Sequence, residues 1–233
     1  MTARSRPDSR PRAVVFIDYQ NMYRSARDAF GWASEAGHFG NFRPLGLGGL
    51  AIRGKGCILS QVRVYTGIHT PRGNAVQYAM AQRRIGAWIA EAPERVQVFP
   101  RPLRYSPGYK RAQEKGVDVE FAIDFVRLAL DDEFDVAVLA SADTDLVPAL
   151  QFVADRFPEK GLITLGYEPE AGFAADAPAP LDLPRGTVER RFIKKADFKR
   201  VADRRNFYEP RSDENARVDP KRWDRVKRRF LPR

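Results

Sequence analysis

The sequence predicts an α/β fold of three layers, a central, mainly parallel sheet with helices on both faces. Short apolar runs rich in Val and Ile recur at residues 13–17, 61–65, 96–99, 136–140 and 162–165, the length and composition of buried strands. Segments of helical character lie between most of them, and such alternation indicates parallel strands joined by crossover helices. With 233 residues, 43% hydrophobic and 11% aromatic, the chain has material for one core with appended segments.

The first run, 13–17, ends in Asp18, and a weak helix is expected from Ser25, with its entry near Asn21. Residues 39–55 carry Gly40, Gly46, Gly48, Gly49 and Gly54, which reads as a loop with at most one helical turn around 45–52. The strand at 61–65 leads to a strong helix at 74–92, and the strand at 96–99 to an apolar helix at 117–130. The strand at 136–140 is followed by a helix at 145–157, then by the strand at 162–165. Residues 169–186 contain Pro169, Pro178, Pro180 and Pro184 and read as a linker or loop. Beyond it, a candidate strand at 187–193 and a candidate helix at 197–205 precede a stretch with Trp223 and Phe230 among Arg and Lys. The expected division is a basic N-terminal segment (1–12), a catalytic-type domain (13–168), the Pro-rich segment (169–186) and a basic extension (187–233).

Charge is unevenly placed. Residues 1–12 carry four Arg against Asp8, residues 185–233 carry 18 Lys or Arg against 8 acids, and residues 13–184 carry 18 against 21. An acidic body between basic ends suits a carboxylate site with flanking attraction for a polyanion; a solvated tail is the plain alternative. A single cysteine, Cys57, forms no internal disulfide and points to a reducing compartment, the cytoplasm. Five apolar residues before Asp18 are too few for a signal peptide, and no run approaches the ~20 apolar residues of a membrane span.

Three acidic clusters follow strands or open helices. Asp18 ends the first strand, Asp118 lies at the start of the helix at 117–130, and Asp143 and Asp145 follow the strand at 136–140. With right-handed crossovers, all four fall on the carboxyl edge of one sheet, where open parallel sheets bind ligands. Carboxylates packed together raise one another's pKa unless a cation neutralises them, and all-oxygen ligands select Mg²⁺ or Mn²⁺. Taken singly, Asp118, Asp143 or Asp145 could instead cap a helix, worth about 1 kcal/mol. Asp18 has no such duty unless a helix starts at once. Asp124, six residues beyond Asp118 and so roughly 9 Å along the helix, is a weaker candidate with a structural reading.

Other chemistries lack support. Gly54-Lys-Gly56 does not complete the phosphate-cradling GxxxxGK[ST] pattern and no GxGxxG follows a strand, Cys57 has no partner motif, and His38 and His69 read as loop residues. Arg101, Arg104, Tyr105, Lys110 and Lys115 form a basic and aromatic stretch close to Asp118, a composition that can hold phosphates and stack bases.

Phe16-Ile-Asp-x-x-Asn21, Lys115-Gly-Val-Asp118 with Asp124 downstream, and Ser141-x-Asp143-x-Asp145-Leu-Val-Pro148 together resemble the NYN domain family of the PIN-like nuclease superfamily, in its bacterial LabA-like branch. The resemblance spans residues 13–165, departing at Ala142, where Gly is common. It implies a PIN-like, Rossmann-like fold and a Mg²⁺- or Mn²⁺-dependent ribonuclease, with Asp18, Asp118, Asp143 and Asp145 as catalytic and metal-binding residues and Asn21 and Ser141 as polar supports. The expected partner is RNA, single-stranded or structured, with no membrane. The rival expectations are a non-catalytic RNA-binding or regulatory module, and a homodimer or protein partner engaged through the basic C-terminal extension.

Overall fold

In the computed structural model, which describes residues 10–105, 112–175, 177–184, 186 and 188–207, strand β1 (Arg12–Asp18) lies inside a six-stranded sheet. Its neighbours are β2 (Ile58–Ile68) and β4 (Val136–Ala140), and the order across the sheet is β3-β2-β1-β4-β5-β6. Strands β3 (Val96–Pro102), β5 (Gly161–Tyr167) and β6 (Glu189–Ile193) complete it, every pairing parallel.

The uninterrupted apolar run of β1 follows from burial on both faces. Val15 and Ile17 pack with α1 (Tyr19–Ala29), α2 (Pro44–Ala51) and α3 (Ala75–Glu91) through Met22, Leu47 and Trp88. Val14 and Phe16 point the other way, against Phe121 and Phe125 of α4 (Val117–Leu130) and Leu150 of α5 (Val147–Arg156). The sheet is thus the middle of three layers. From β1 the chain winds outward through β2 to β3, then returns past β1 to β4 and continues to β5. The winding reverses between β1 and β4, and in such sheets the crevice at the carboxyl ends of the two strands is the place for a ligand.

Two local expectations need correction. The helix expected from Ser25 begins six residues earlier, at Tyr19, because Asp18 caps it. The glycine-rich stretch expected as loop forms α2, eight residues with Pro44 in its first turn. Its glycines serve close packing: a Cβ on Gly48 would lie 2.9 Å from Val62 Cγ2. The candidate helix at 197–205 is α6 (Lys195–Val201), which ends where Phe42 and Ala202 form an antiparallel bridge and Asp203 N–H donates to Asn41 O.

β6 and α6 are part of the same packing. Phe198 is fully buried against Phe30, Phe42 and Tyr167. Within the proline-rich segment, Leu181 is buried and its carbonyl accepts from Thr164 Oγ1 at 2.7 Å. No helix among the described residues is long and apolar enough to cross a membrane.

A buried ion pair ties α4 to the sheet. Asp124, 9% exposed, accepts from Arg63 Nε of β2 at 2.7 Å, from the Tyr65 hydroxyl, and from Arg127 Nη2 at 2.7 Å. Arg63 also donates to Gln97 Oε1 of β3 at 2.8 Å, so one guanidinium links three elements. Removing the carboxylate strands the buried Arg63 charge, which typically costs about 3–5 kcal/mol. Asp124→Ala is therefore expected to lower the urea midpoint by that equivalent, and an unchanged midpoint would show that the pair does not hold α4 in place.

Candidate metal centre

Asp18 is both the last residue of β1 and the N-cap of α1. Its Oδ1 accepts from Asn21 N–H at 3.1 Å, and its other oxygen faces Ser141 Oγ at 3.4 Å. The cap duty that the sequence left conditional is thus present, since the helix starts at once. Asn21 Oδ1 reaches across the crevice to accept from Ala142 N–H at 2.9 Å, and Ser141 Oγ accepts from Asp143 N–H at 3.1 Å. These bonds lace the start of α1 to the chain leaving β4. Asp143 in turn caps the 3₁₀ turn Thr144–Leu146, accepting from Asp145 N–H at 3.0 Å.

The third arm comes from α4. Gly116 is its N-cap with φ +79°, the left-handed region that a side chain disfavours, and the turn there sets Asp118 in the first helical turn. One carboxylate oxygen each from Asp18, Asp118 and Asp143 then lie within 4.8 Å of one another. The donors are hard, anionic and all oxygen, which fits a divalent cation such as Mg²⁺ or Mn²⁺ and offers nothing to a soft metal.

The structure separates the remaining sequence candidates. Asp145 is exposed and lies outside the three-oxygen group. Asp124 sits in the Arg63 ion pair. Arg101 pairs with Glu120 of α4 at 3.0 Å, Lys115 is exposed, and Arg104 and Tyr105 stand where the chain bridges to Gln113. Lys110, Trp223 and Phe230 lie outside the described residues.

Two residues that the sequence reading passed over border the cavity of about 300 Å³ around the acids, Glu114 and Arg24. Glu114 is anchored by Gly67 N–H at 2.9 Å. Its one signal in the sequence was an acid four residues before Asp118. Arg24 lines the cavity together with Asn21, Ser25 and Asp28, which are neighbours on one helix face. That face is legible only once α1 is known to start at Tyr19.

Burial, and after it the crowding of negative charge, raises the pKa values of these groups. Asp18, 6% exposed, is pushed up to about 7, first by burial and then by Glu114, Asp118 and Asp143, against the opposing Asn21 N–H. Asp118 is raised by burial and by Asp143 and Asp145. Glu114 is raised by burial of its carboxylate and by Asp118, with Gly67 N–H and Arg24 pulling the other way.

The sequence profile of the NYN domain matches residues 12–171. Comparison with curated proteins gives no match. Among solved structures, a crystal structure of a protein of unknown function from Vibrio parahaemolyticus aligns over 83% of this chain and 99% of that one, at 16% identity and a TM-score of 0.49.

Because Asp18 titrates near 3.8 when unperturbed and near 7 in the fold, the native state holds an extra proton between those values. The stability contributed by the protonated form is full below about 3.8 and is lost as pH rises through about 7. Asp18→Asn keeps a competent cap and removes the charge. In EDTA at pH 8 the variant should exceed wild type in stability by roughly 1–4 kcal/mol, and the gap should close towards pH 4. Urea unfolding at both pH values checks this; a pH-independent gap would show that Asp18 does not titrate as described.

Proposed function

This chain belongs to the NYN domain family, and from that premise we propose that it is a metal-dependent ribonuclease that hydrolyses RNA phosphodiester bonds at the crevice between β1 and β4. The observation that carries the reading is the convergence of Asp18, Asp118 and Asp143, from three separated segments, on a space of 4.8 Å. Capping accounts for the positions of Asp18 and Asp143, but adding Asp118 to them brings together charges that oppose one another.

In this reading Asp18, Asp118 and Asp143 hold Mg²⁺ or Mn²⁺. A divalent cation bound there neutralises the acids and supplies Lewis acidity to a phosphodiester. Asn21 and Ser141 fix the carboxylates by the hydrogen bonds that join the two strand ends. Asp145 acts from the rim, through its charge on Asp118. Arg24, bordering the same cavity, offers a guanidinium to a phosphate oxygen. No histidine base or covalent nucleophile is called for.

One observation favours a second reading, a non-catalytic RNA-binding or regulatory module. Asp18 and Asp143 also cap helical turns, so two of the acids have structural work independent of chemistry. Cleavage of labelled single-stranded RNA by wild type and Asp143→Asn, in Mg²⁺, Mn²⁺ or EDTA, separates the two. The ribonuclease reading expects products in metal, none in EDTA, and a loss of roughly 10²–10³-fold or more in the variant. The variant should unfold within about 1 kcal/mol of wild type, since Asn also caps. RNA binding without products in every metal would favour the regulatory module.

A further inference from the structure

Beside the acids lies a second, larger cavity of about 840 Å³. Gln20, Arg24 and Glu114 border both spaces, so the two are neighbours. Their linings differ in kind. Around the first are mainly carboxylates; around the second, besides the shared Gln20, Arg24 and Glu114, are the amides of Asn74 and Gln113, with His69, Leu103 and Tyr105. An aromatic surface with neutral donors and acceptors beside it suits a flat, uncharged heterocycle: rings stack, and amides read a base edge.

Hydrogen bonds fix the walls of this cavity. Gln20 Nε2 donates to Gly67 O at 2.8 Å, and its Oε1 accepts from Thr66 Oγ1 at 2.9 Å. Arg104 and Gln113 exchange both backbone hydrogen bonds, at 2.8 and 2.9 Å, which pins the arm carrying Tyr105. The Tyr105 hydroxyl is hydrogen-bonded to His69 Nδ1. Its ring occupies the space where a Cβ on Gly73 would stand, 2.1 Å from Cζ, so glycine at 73 is what admits it. Yet Tyr105 remains 44% exposed. A large aromatic side chain held in place and left open is surface ready for a ligand, with little ordering cost on binding.

We propose that this second cavity is a nucleobase pocket, which takes an unpaired base of the same strand whose phosphate reaches the acid cluster. Tyr105 and His69 form its aromatic wall, Gln113 and the amino group of Asn74 face the base edge, the Asn74 oxygen being taken by Gln77 N–H as the cap of α3, and Arg24 holds the phosphate between the two cavities. The substrate class is then a single-stranded segment, because bases in a duplex are stacked and paired and cannot enter a side cavity. The pocket rests on the ribonuclease reading for the identity of the strand, and not on catalysis occurring.

The test is binding, by fluorescence anisotropy in EDTA at low salt, of a labelled single-stranded RNA 8-mer and of its duplex to the full chain. Wild type is expected to prefer the single strand. Tyr105→Ala should weaken that binding about 10-fold or more, and Tyr105→Phe, which keeps the ring, much less. Gly73→Ala, which displaces the ring without removing it, should reproduce the Tyr105→Ala loss; thermal melts confirm that each variant folds. Equal binding of duplex and single strand, no binding of the single strand, or wild-type affinity in both Tyr105→Ala and Gly73→Ala overturns the pocket. Cleavage in Mg²⁺ or Mn²⁺ with unaltered KM in Tyr105→Ala also overturns it and leaves the nuclease standing. Tyr105-dependent binding with no cleavage in any metal upholds the pocket and removes the nuclease.

Discussion

The crevice depends on one constraint: like-charged carboxylates have to be held together at a place where the sheet would otherwise part. β1 and β4 are hydrogen-bonded neighbours, but the helices that follow them leave towards opposite faces. Asn21 bonded to Ala142 N–H, and Ser141 bonded to Asp18 and Asp143, close that gap. These are short polar side chains satisfying backbone donors at helix starts, and the same geometry aims the carboxylates at a common point. Capping and convergence are therefore one arrangement, and the acids of the site are also parts of the fold.

Two aspartates only six residues apart on α4 show how context decides what a carboxylate does. Asp124 is buried among Arg63, Arg127 and the Tyr65 hydroxyl, so its charge is matched and it fastens the helix to the sheet. Asp118, a turn and a half earlier, faces Asp143 and Asp18 with its charge unmatched. The one cannot be removed without stranding a buried charge, whereas crowding of the other stores repulsion that a cation can relieve. The same division separates the two cavities. One is acidic and narrow, the other wider and lined mainly by amide and aromatic groups, and Arg24 and Glu114 border both.

Much of this was legible in the sequence. The five apolar runs, the strong helix before β3 and the helix α4 stand where periodicity put them, because strand and helix signals are local. The acids after β1 and β4 and at the start of α4 were readable as one edge, since parallel topology carries every strand end to the same side. Less legible were α2 and the start of α1. Glycine in α2 resembles loop composition until Val62 is seen lying against Gly48, and α1 looks weak until Asp18 is recognised as its cap.

By itself, then, the sequence determined the three-layer fold, its parallel winding and the edge on which the acids gather. Which acids meet was decided by tertiary structure. Asp145 follows Asp143 by two residues yet is exposed, because the 3₁₀ turn capped by Asp143 carries it outward. Glu114 comes from a loop without a motif and reaches the cavity because Gly67 at the end of β2 holds it. Tyr105, His69 and Asn74 share a wall although β3 separates them in the chain. Spacing along the chain fixes which way a residue leaves its own strand or helix; which side chains then share a space depends on contacts between elements far apart in sequence.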